Sequence, residues 1–189
     1  MLAGGRSSRF GSDKLSLTYG GVPLLHHPIL RLAEVCDDVV VVIAPGVSAP
    51  ALPVGVPARL ARDAAEGEGP LAGLVAGLAE VRTGWALVAG GDMPDLSTAV
   101  LLEMLRVAAE AAVDAVALAD KERSVPLPMA LRSEPAREVG HALLHDGERR
   151  LGAMLESLRT AVIDEPTWTA LDPERGTLRD IDEPDDLIP

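Results

Sequence analysis

The chain has 189 residues, 48% hydrophobic and 2% aromatic, with 17 Lys+Arg against 29 Asp+Glu and a formal net charge of −12. It can bury one substantial core and offset its ordering entropy, which excludes disorder and predicts a single domain over 1–189. Its acidity repels phosphate backbones and anionic membranes, its few aromatics give no stacking platform, and its single Cys excludes an internal disulfide framework. The continuous β-branched run Val39–Ile43 predicts a strand buried on both faces. A short strand is expected over Ala58–Ala61, a helix over Leu71–Val81, and a buried strand over Trp85–Ala89 that ends at Gly90 and Gly91. Thr98–Ala112 has strong helical spacing, with Ser97 as its expected N-cap. Strands follow at Ala115–Ala119 and Pro128–Leu131, helices at Pro135–Leu144 and Leu151–Leu158, and a strand at Ala161–Asp164. Leu178–Asp182 reads as a short strand or loop, and Glu183–Leu187 as a final helical turn.

Strands alternating with helices imply βαβ units, a mainly parallel sheet, and ligands at the carboxyl ends of its strands. The chemistry is therefore expected just after Leu2, Ile43, Ala61 and Ala89. A Gly-rich loop starting at residue 3 leaves only Met1 and Leu2 for the strand that should precede it. The first strand is thus truncated, and a segment upstream of Met1 is expected. No apolar run reaches about 18 residues and no charged-then-apolar leader is visible, so the expected location is the cytoplasm.

Four segments carry candidate chemistry. In residues 2–14, Gly4 and Gly5 can turn backbone N–H groups toward an anion, Ser7 and Ser8 add hydroxyls, Arg9 offers a planar fork, and Lys14 a mobile point charge. Neither the P-loop spacing nor the dinucleotide fingerprint is present. Asp92, in Gly90–Pro94, sits at a strand's carboxyl end, where a carboxylate can hold Mg²⁺ against a triphosphate. Gly69, Pro70, Leu71, Ala72 and Gly73 form the start of a helix, whose N-terminus favours negative charge. Asp180 and Asp182 stand two apart in Arg179–Pro184, and two such carboxylates repel unless a cation or proton joins them. Each segment alone also has a plain structural reading: a surface loop, a tight turn, a loop-to-helix junction, and a solvated acidic run in which Asp182 caps the last turn.

Together the four resemble the MobA-type nucleotidyltransferases, the molybdenum cofactor guanylyltransferases. That family's loop runs LAGG-x-S-x-R-x-G-x-DK, and residues 2–14 match every fixed place. GPLAGL at 69–74, GDMP at 91–94 and DIDEP at 180–184 resemble its base-proximal segment, metal-binding turn and late motif. The resemblance implies a three-layer Rossmann-like α/β fold and transfer of GMP from Mg-GTP to the phosphate of molybdopterin, or a related pterin phosphate, releasing pyrophosphate. It implies Mg²⁺ as cofactor and molybdenum-cofactor biosynthetic or target proteins as partners.

By position in that family, Leu2, Ala3, Gly4, Gly5, Lys14, Asp63, Gly69–Gly73 and Asp92 would bind the nucleotide. Lys14, Arg9 and Asp92 would be catalytic, and Asp92 with Asp182 would hold the metal, leaving Asp180 outside its first shell. Asp63 could accept from guanine N1–H and N2–H₂. Arg149 and Arg150, in the Gly147–Arg150 tip, would hold the acceptor phosphate or else simply flank a helix. Two departures stand out: Ala44–Gly46 replaces a frequent Asn after the second strand, and Asp replaces Asn at 180 and 182. The DIDEP form also resembles cytidylyltransferase relatives, so a cytidylyltransferase, another NTP transferase of this fold, or a non-catalytic nucleotide-binding module stays open. His141 with His145, His26 with His27, and Cys36 lack the partners that would make them sites.

Overall fold

A computed structural model describes residues 1–3, 14–63 and 68–187. In chain order it contains β1 (Thr18–Tyr19), β2 (Val22–Pro23), α1 (His26–Ala33), β3 (Val39–Ile43), β4 (Ala58–Arg62), α2 (Pro70–Glu80), β5 (Trp85–Val88) and α3 (Thr98–Glu110). There follow β6 (Ala115–Asp120), β7 (Arg123–Arg132), α4 (Ser133–His145), α5 (Gly152–Ser157), β8 (Thr160–Ile163) and α6 (Glu165–Leu171), with short 3₁₀ turns at Lys14–Ser16, Gly176–Leu178 and Pro184–Leu187.

β3 and β4 pair in parallel, while β5, β7, β6 and β8 lie side by side in that order. Residues 1–3 join the two groups. Leu2 bridges Val42 and Gly90, both in parallel, with Leu2 N donating to Ala89 O at 2.9 Å and Ala3 N to Val42 O at 2.8 Å. Leu2 thus lies in mid-sheet, between β3 and β5. Within the four-strand group β7 runs against its neighbours, pairing antiparallel with β5 and β6, whereas β8 is parallel to β6, and β1 and β2 form a separate antiparallel pair. The expected mainly parallel sheet is observed.

Period-two alternation sorts the strand side chains onto two faces. Val41, Ile43, Val116, Leu118 and Ala130 point to a layer that holds Ile29 of α1, Leu101 and Met104 of α3, and Trp168 of α6. Ala115, Ala117, Met129 and Leu131 point to the opposite layer, with Leu74 and Leu78 of α2, Ala136 of α4 and Met154 of α5. At the crossing of α2 and α4, a Cβ on Gly140 would lie 2.6 Å from Val75 Cγ2, so glycine there lets the helices approach closely.

Several expectations need correction. β7 spans ten residues where four were expected. Pro126 and Pro128 argue against a strand, yet the pairing passes from Ala117–Met129 to Leu118–Val125, so residues 126–128 bulge out of register and no ladder donor is lost there. α6 was not anticipated. It opens on Asp164, whose Oδ1 accepts from Thr167 N at 2.9 Å, and it buries only Trp168. Ser97 occupies the N-cap position of α3 without capping through its side chain; its own N–H donates to Thr177 Oγ1 at 3.1 Å. α3 ends at Glu110 rather than Ala112. Of the strand and the loop offered for Leu178–Asp182, the loop is observed beyond the 3₁₀ turn that ends at Leu178.

Candidate active site

The carboxyl ends of residues 1–3, β3, β4 and β5 gather on one rim of the sheet. Gly4, Gly5 and Arg9 lie outside the described residues. Lys14 opens a 3₁₀ turn beyond them and reaches back to the rim. Its Nζ donates to Asp92 Oδ2 at 2.9 Å and to Ile181 O at 2.5 Å, and stands 3.5 Å from Asp182 Oδ1. Lys14 and Asp92 are the more enclosed members, with side chains 12% and 31% exposed, against 58% for Asp182.

Backbone crowding fixes Asp92. The turn follows β5 directly, and Gly91 N donates to Leu2 O at 2.8 Å. A Cβ on Gly91 would lie 3.3 Å from that oxygen, and one on Gly90 would collide with Asp92 Oδ1. The two glycines therefore let the turn sit against Leu2 with its carboxylate at the rim.

Asp182 arrives from the far end of the chain. Ile181 N donates to Asp92 O at 2.9 Å, and the Ile181 side chain is fully buried with Tyr19 and Leu24. Beside this anchor, Tyr19 Oη donates to Asp95 Oδ2 at 3.0 Å, and Arg179 Nη1 lies 3.3 Å from Tyr19 Oη and 3.4 Å from Asp95 Oδ2. Burial, followed by the bond to Asp95, raises the Tyr19 pKa. Tyr19, Asp95, Arg179 and Ile181 are thus positioning residues, and none of them carries a signal of that role in the local sequence. The cap of the last turn is Asp186, not Asp182: Asp186 Oδ2 accepts from Asp182 N at 3.0 Å and Glu183 N at 2.8 Å, and those N–H groups lower its pKa. Desolvation first, and then the negative charges of Asp182 and Asp92, raise the pKa of Asp180.

Asp63 follows β4, with its N donating to Ile43 O at 2.9 Å. Its Oδ2 lies 3.7 Å from where a Cβ on Gly73 would stand, with Leu2 Cδ2 at 3.8 Å. Asp63, Leu2 and the start of α2 therefore converge. Gly69 precedes α2 at φ +82°, and Pro70 opens the helix while Leu71, Ala72 and Gly73 are buried. Arg149 closes this end: its carbonyl accepts from Leu71 N at 3.3 Å, and its Cβ would lie 3.0 Å from a Cβ on Gly69. Arg149 Nη1 donates to Glu148 O at 2.8 Å, while Arg150 pairs with Glu148 at 2.8 Å and Glu156 at 3.5 Å. The Arg150 and Arg149 donors hold the Glu148 pKa down to about 2.

Among the described residues, no group of three or more His, Cys, Asp or Glu is placed to hold a metal ion. Asp92 and Asp182 do fit Mg²⁺, which takes one or two carboxylates and completes its shell with phosphate oxygens and water. The Lys14 ammonium already stands between them as a cation. Burial raises the Cys36 thiol pKa, which suits an inert side chain. An apolar cavity of about 510 Å³ opens at the opposite ends of β3 and β5, beside Val40, Leu78 and Trp85, away from this rim. Among the described residues, no helix is long and apolar enough to cross a membrane.

Comparison with known proteins agrees with this geometry. The model of the MobA-like NTP transferase domain matches residues 1–162. A probable molybdenum cofactor guanylyltransferase of Chloroflexus aggregans is 34% identical over 99% of this chain and 89% of its own. One from Natronomonas pharaonis is also 34% identical, over 99% and 93%. Among solved structures, molybdopterin-guanine dinucleotide biosynthesis protein A from Archaeoglobus fulgidus aligns with TM-score 0.73 and 23% identity over 98% of this chain and 92% of its own. The 2-C-methyl-D-erythritol 4-phosphate cytidylyltransferase from Thermus thermophilus aligns with TM-score 0.71 and 18% identity over 98% and 93%. The chain therefore belongs to the MobA-like NTP transferase family.

Proposed function

We propose that this protein transfers GMP from Mg-GTP to the phosphate of molybdopterin in the cytoplasm, releasing pyrophosphate. The observation that carries the reading is the convergence of Lys14, Asp92 and Asp182 at the carboxyl rim of the sheet. The names of the guanylyltransferase relatives support GTP and the pterin as substrates.

In this reading an oxygen of the acceptor phosphate attacks the α-phosphorus of GTP. A new P–O bond forms as the bond to the β-phosphate oxygen breaks, and the electron pair leaves with pyrophosphate. The nucleophile is already an anion, so the chain need supply no strong base. Its task is to bring two anions together and to neutralise the charge that builds up. Lys14, Arg9 and the N–H groups of Gly4 and Gly5 hold the triphosphate. Asp92 and Asp182 hold Mg²⁺, which when bound neutralises phosphate charge. Asp63 accepts from the guanine edge beside Gly69–Gly73, with Leu2 and Ala3 forming the floor. Arg149 flanks Gly69, and Arg149 and Arg150 serve the acceptor side.

The likeness to a cytidylyltransferase fold, together with Asp at 180 and 182, gives CTP transfer as the second reading. Purified protein, Mg²⁺ and molybdopterin are incubated with GTP or CTP, and the product mass is read. A guanine dinucleotide is expected; a cytosine dinucleotide selects the second reading, and neither product from a folded protein refutes both.

A further inference from the structure

The space between the two carboxylates is already taken by a cation. Lys14 Nζ is held by Asp92 Oδ2 at 2.9 Å and Ile181 O at 2.5 Å, with Asp182 Oδ1 at 3.5 Å. Two carboxylate oxygens and a backbone carbonyl are also the hard oxygen donors that a divalent cation selects. An ammonium and a divalent ion cannot share them, because like charges a few ångströms apart repel strongly at a partly enclosed rim. The ammonium sits on a flexible four-carbon stem and can leave without moving the backbone.

We propose that Lys14 is a resident counter-cation that keeps divalent metal out of the empty site until a nucleoside triphosphate draws its ammonium away. The inference rests on the assignment of Asp92 and Asp182 to Mg²⁺ and of Lys14 to the triphosphate. Without Lys14, the Asp92 and Asp182 carboxylates would lose the ammonium between them, and the anchor Ile181–Asp92 would work against their repulsion. With Lys14 in place the pair is stable, but its oxygens are occupied. A triphosphate brings several anionic oxygens to the same rim, so it competes for the ammonium. The carboxylates it leaves behind are then free for the metal that travels with the nucleotide. Metal and nucleotide therefore strengthen each other's binding by the same factor, and Lys14 is what couples them.

The test measures Mn²⁺ binding to nucleotide-free protein from the free-ion electron paramagnetic resonance signal. Wild type is compared with Lys14→Met and with Lys14→Gln, which keeps a polar head without charge; circular dichroism confirms that each is folded. The expected result is Mn²⁺ binding about tenfold or more tighter than wild type in either folded variant, abolished when Asp92→Asn is added. Wild-type affinity in both variants overturns the proposal. A separate arm reads the GTP-induced thermal shift of wild type and of Asp92→Asn with and without Mn²⁺. An equal Mn²⁺-dependent increment in both overturns the underlying metal site, which distinguishes that failure from a failure of the lysine's role alone.

Discussion

Asp92 and Asp182 share a cation in the structure, but they do not share it equally, and that asymmetry sets the size of a mutational effect. Asp182 is the more distant, at 3.5 Å, and the more solvated, at 58% exposure. An exposed ion pair of this kind contributes about 0.2–1 kcal/mol, so Asp182→Asn should raise the Mg²⁺ concentration needed for half-maximal turnover by no more than about fivefold. Asp92 is closer, at 2.9 Å, and 31% exposed, and crowded glycines fix its position. Asp92→Asn should lower kcat by about 10²–10³-fold, the range for losing one preorganised electrostatic contact. The assay is the initial rate of pyrophosphate release at fixed GTP and acceptor while Mg²⁺ is titrated. If Asp182→Asn costs as much as Asp92→Asn, the ranking by distance and exposure is wrong. If Asp182→Asn lowers thermal stability while its Mg²⁺ dependence stays at the wild-type value, Asp182 is structural and not a metal ligand.

Four further outcomes are expected. Asp63→Ala should reduce the thermal shift given by GTP more than that given by CTP, by about 1–3 kcal/mol of binding; equal losses would remove Asp63 from base reading. Changing both Arg149 and Arg150 to Ala should raise the acceptor KM and leave the GTP KM alone, and unchanged acceptor kinetics would return the pair to a role in closing α2. Trp168 is fully buried and its Nε1 donates to Ala119 O at 2.7 Å, so Trp168→Phe should cost about 1–3 kcal/mol in urea unfolding; an unchanged midpoint would refute this. The bond from Arg159 lowers the Asp114 pKa below its ordinary 3.8, so its stabilisation is present above that pH and is lost as the pH falls through the folded value. The gap in urea midpoint between wild type and Asp114→Asn should thus be constant from pH 7 to 5 and shrink below about 3.8; a gap unchanged at pH 3 would refute the assignment.

Much of the sheet was legible because it is written in local composition. Val39–Ile43 could only be a doubly buried strand, and Trp85–Ala89 ran straight into the glycines that place Asp92. α6 was not legible, since a single buried residue, Trp168, leaves no periodic stripe. The first part of β7 was hidden by two prolines that a bulge in the partner register accommodates. At the site, the motif residues could be read from type and spacing, but the groups that aim them could not. Tyr19 meets Asp95 across 76 positions and Arg179 across 160. No local pattern encodes such a meeting; it arises only when the sheet rim brings the two ends of the chain together.

That closure has a consequence for biosynthesis. Lys14 and Asp182 are 168 positions apart. A chain that has released only its first two thirds can already pair β3 through β7 and form the Asp92 turn, yet Lys14 then has neither the Ile181 carbonyl nor the Asp182 carboxylate to hold. Only when residues 179–182 are free can Arg179 dock on Tyr19 and Ile181 enter its pocket. A product cut short before residue 179 therefore carries the rim strands but lacks one arm of the cation clamp.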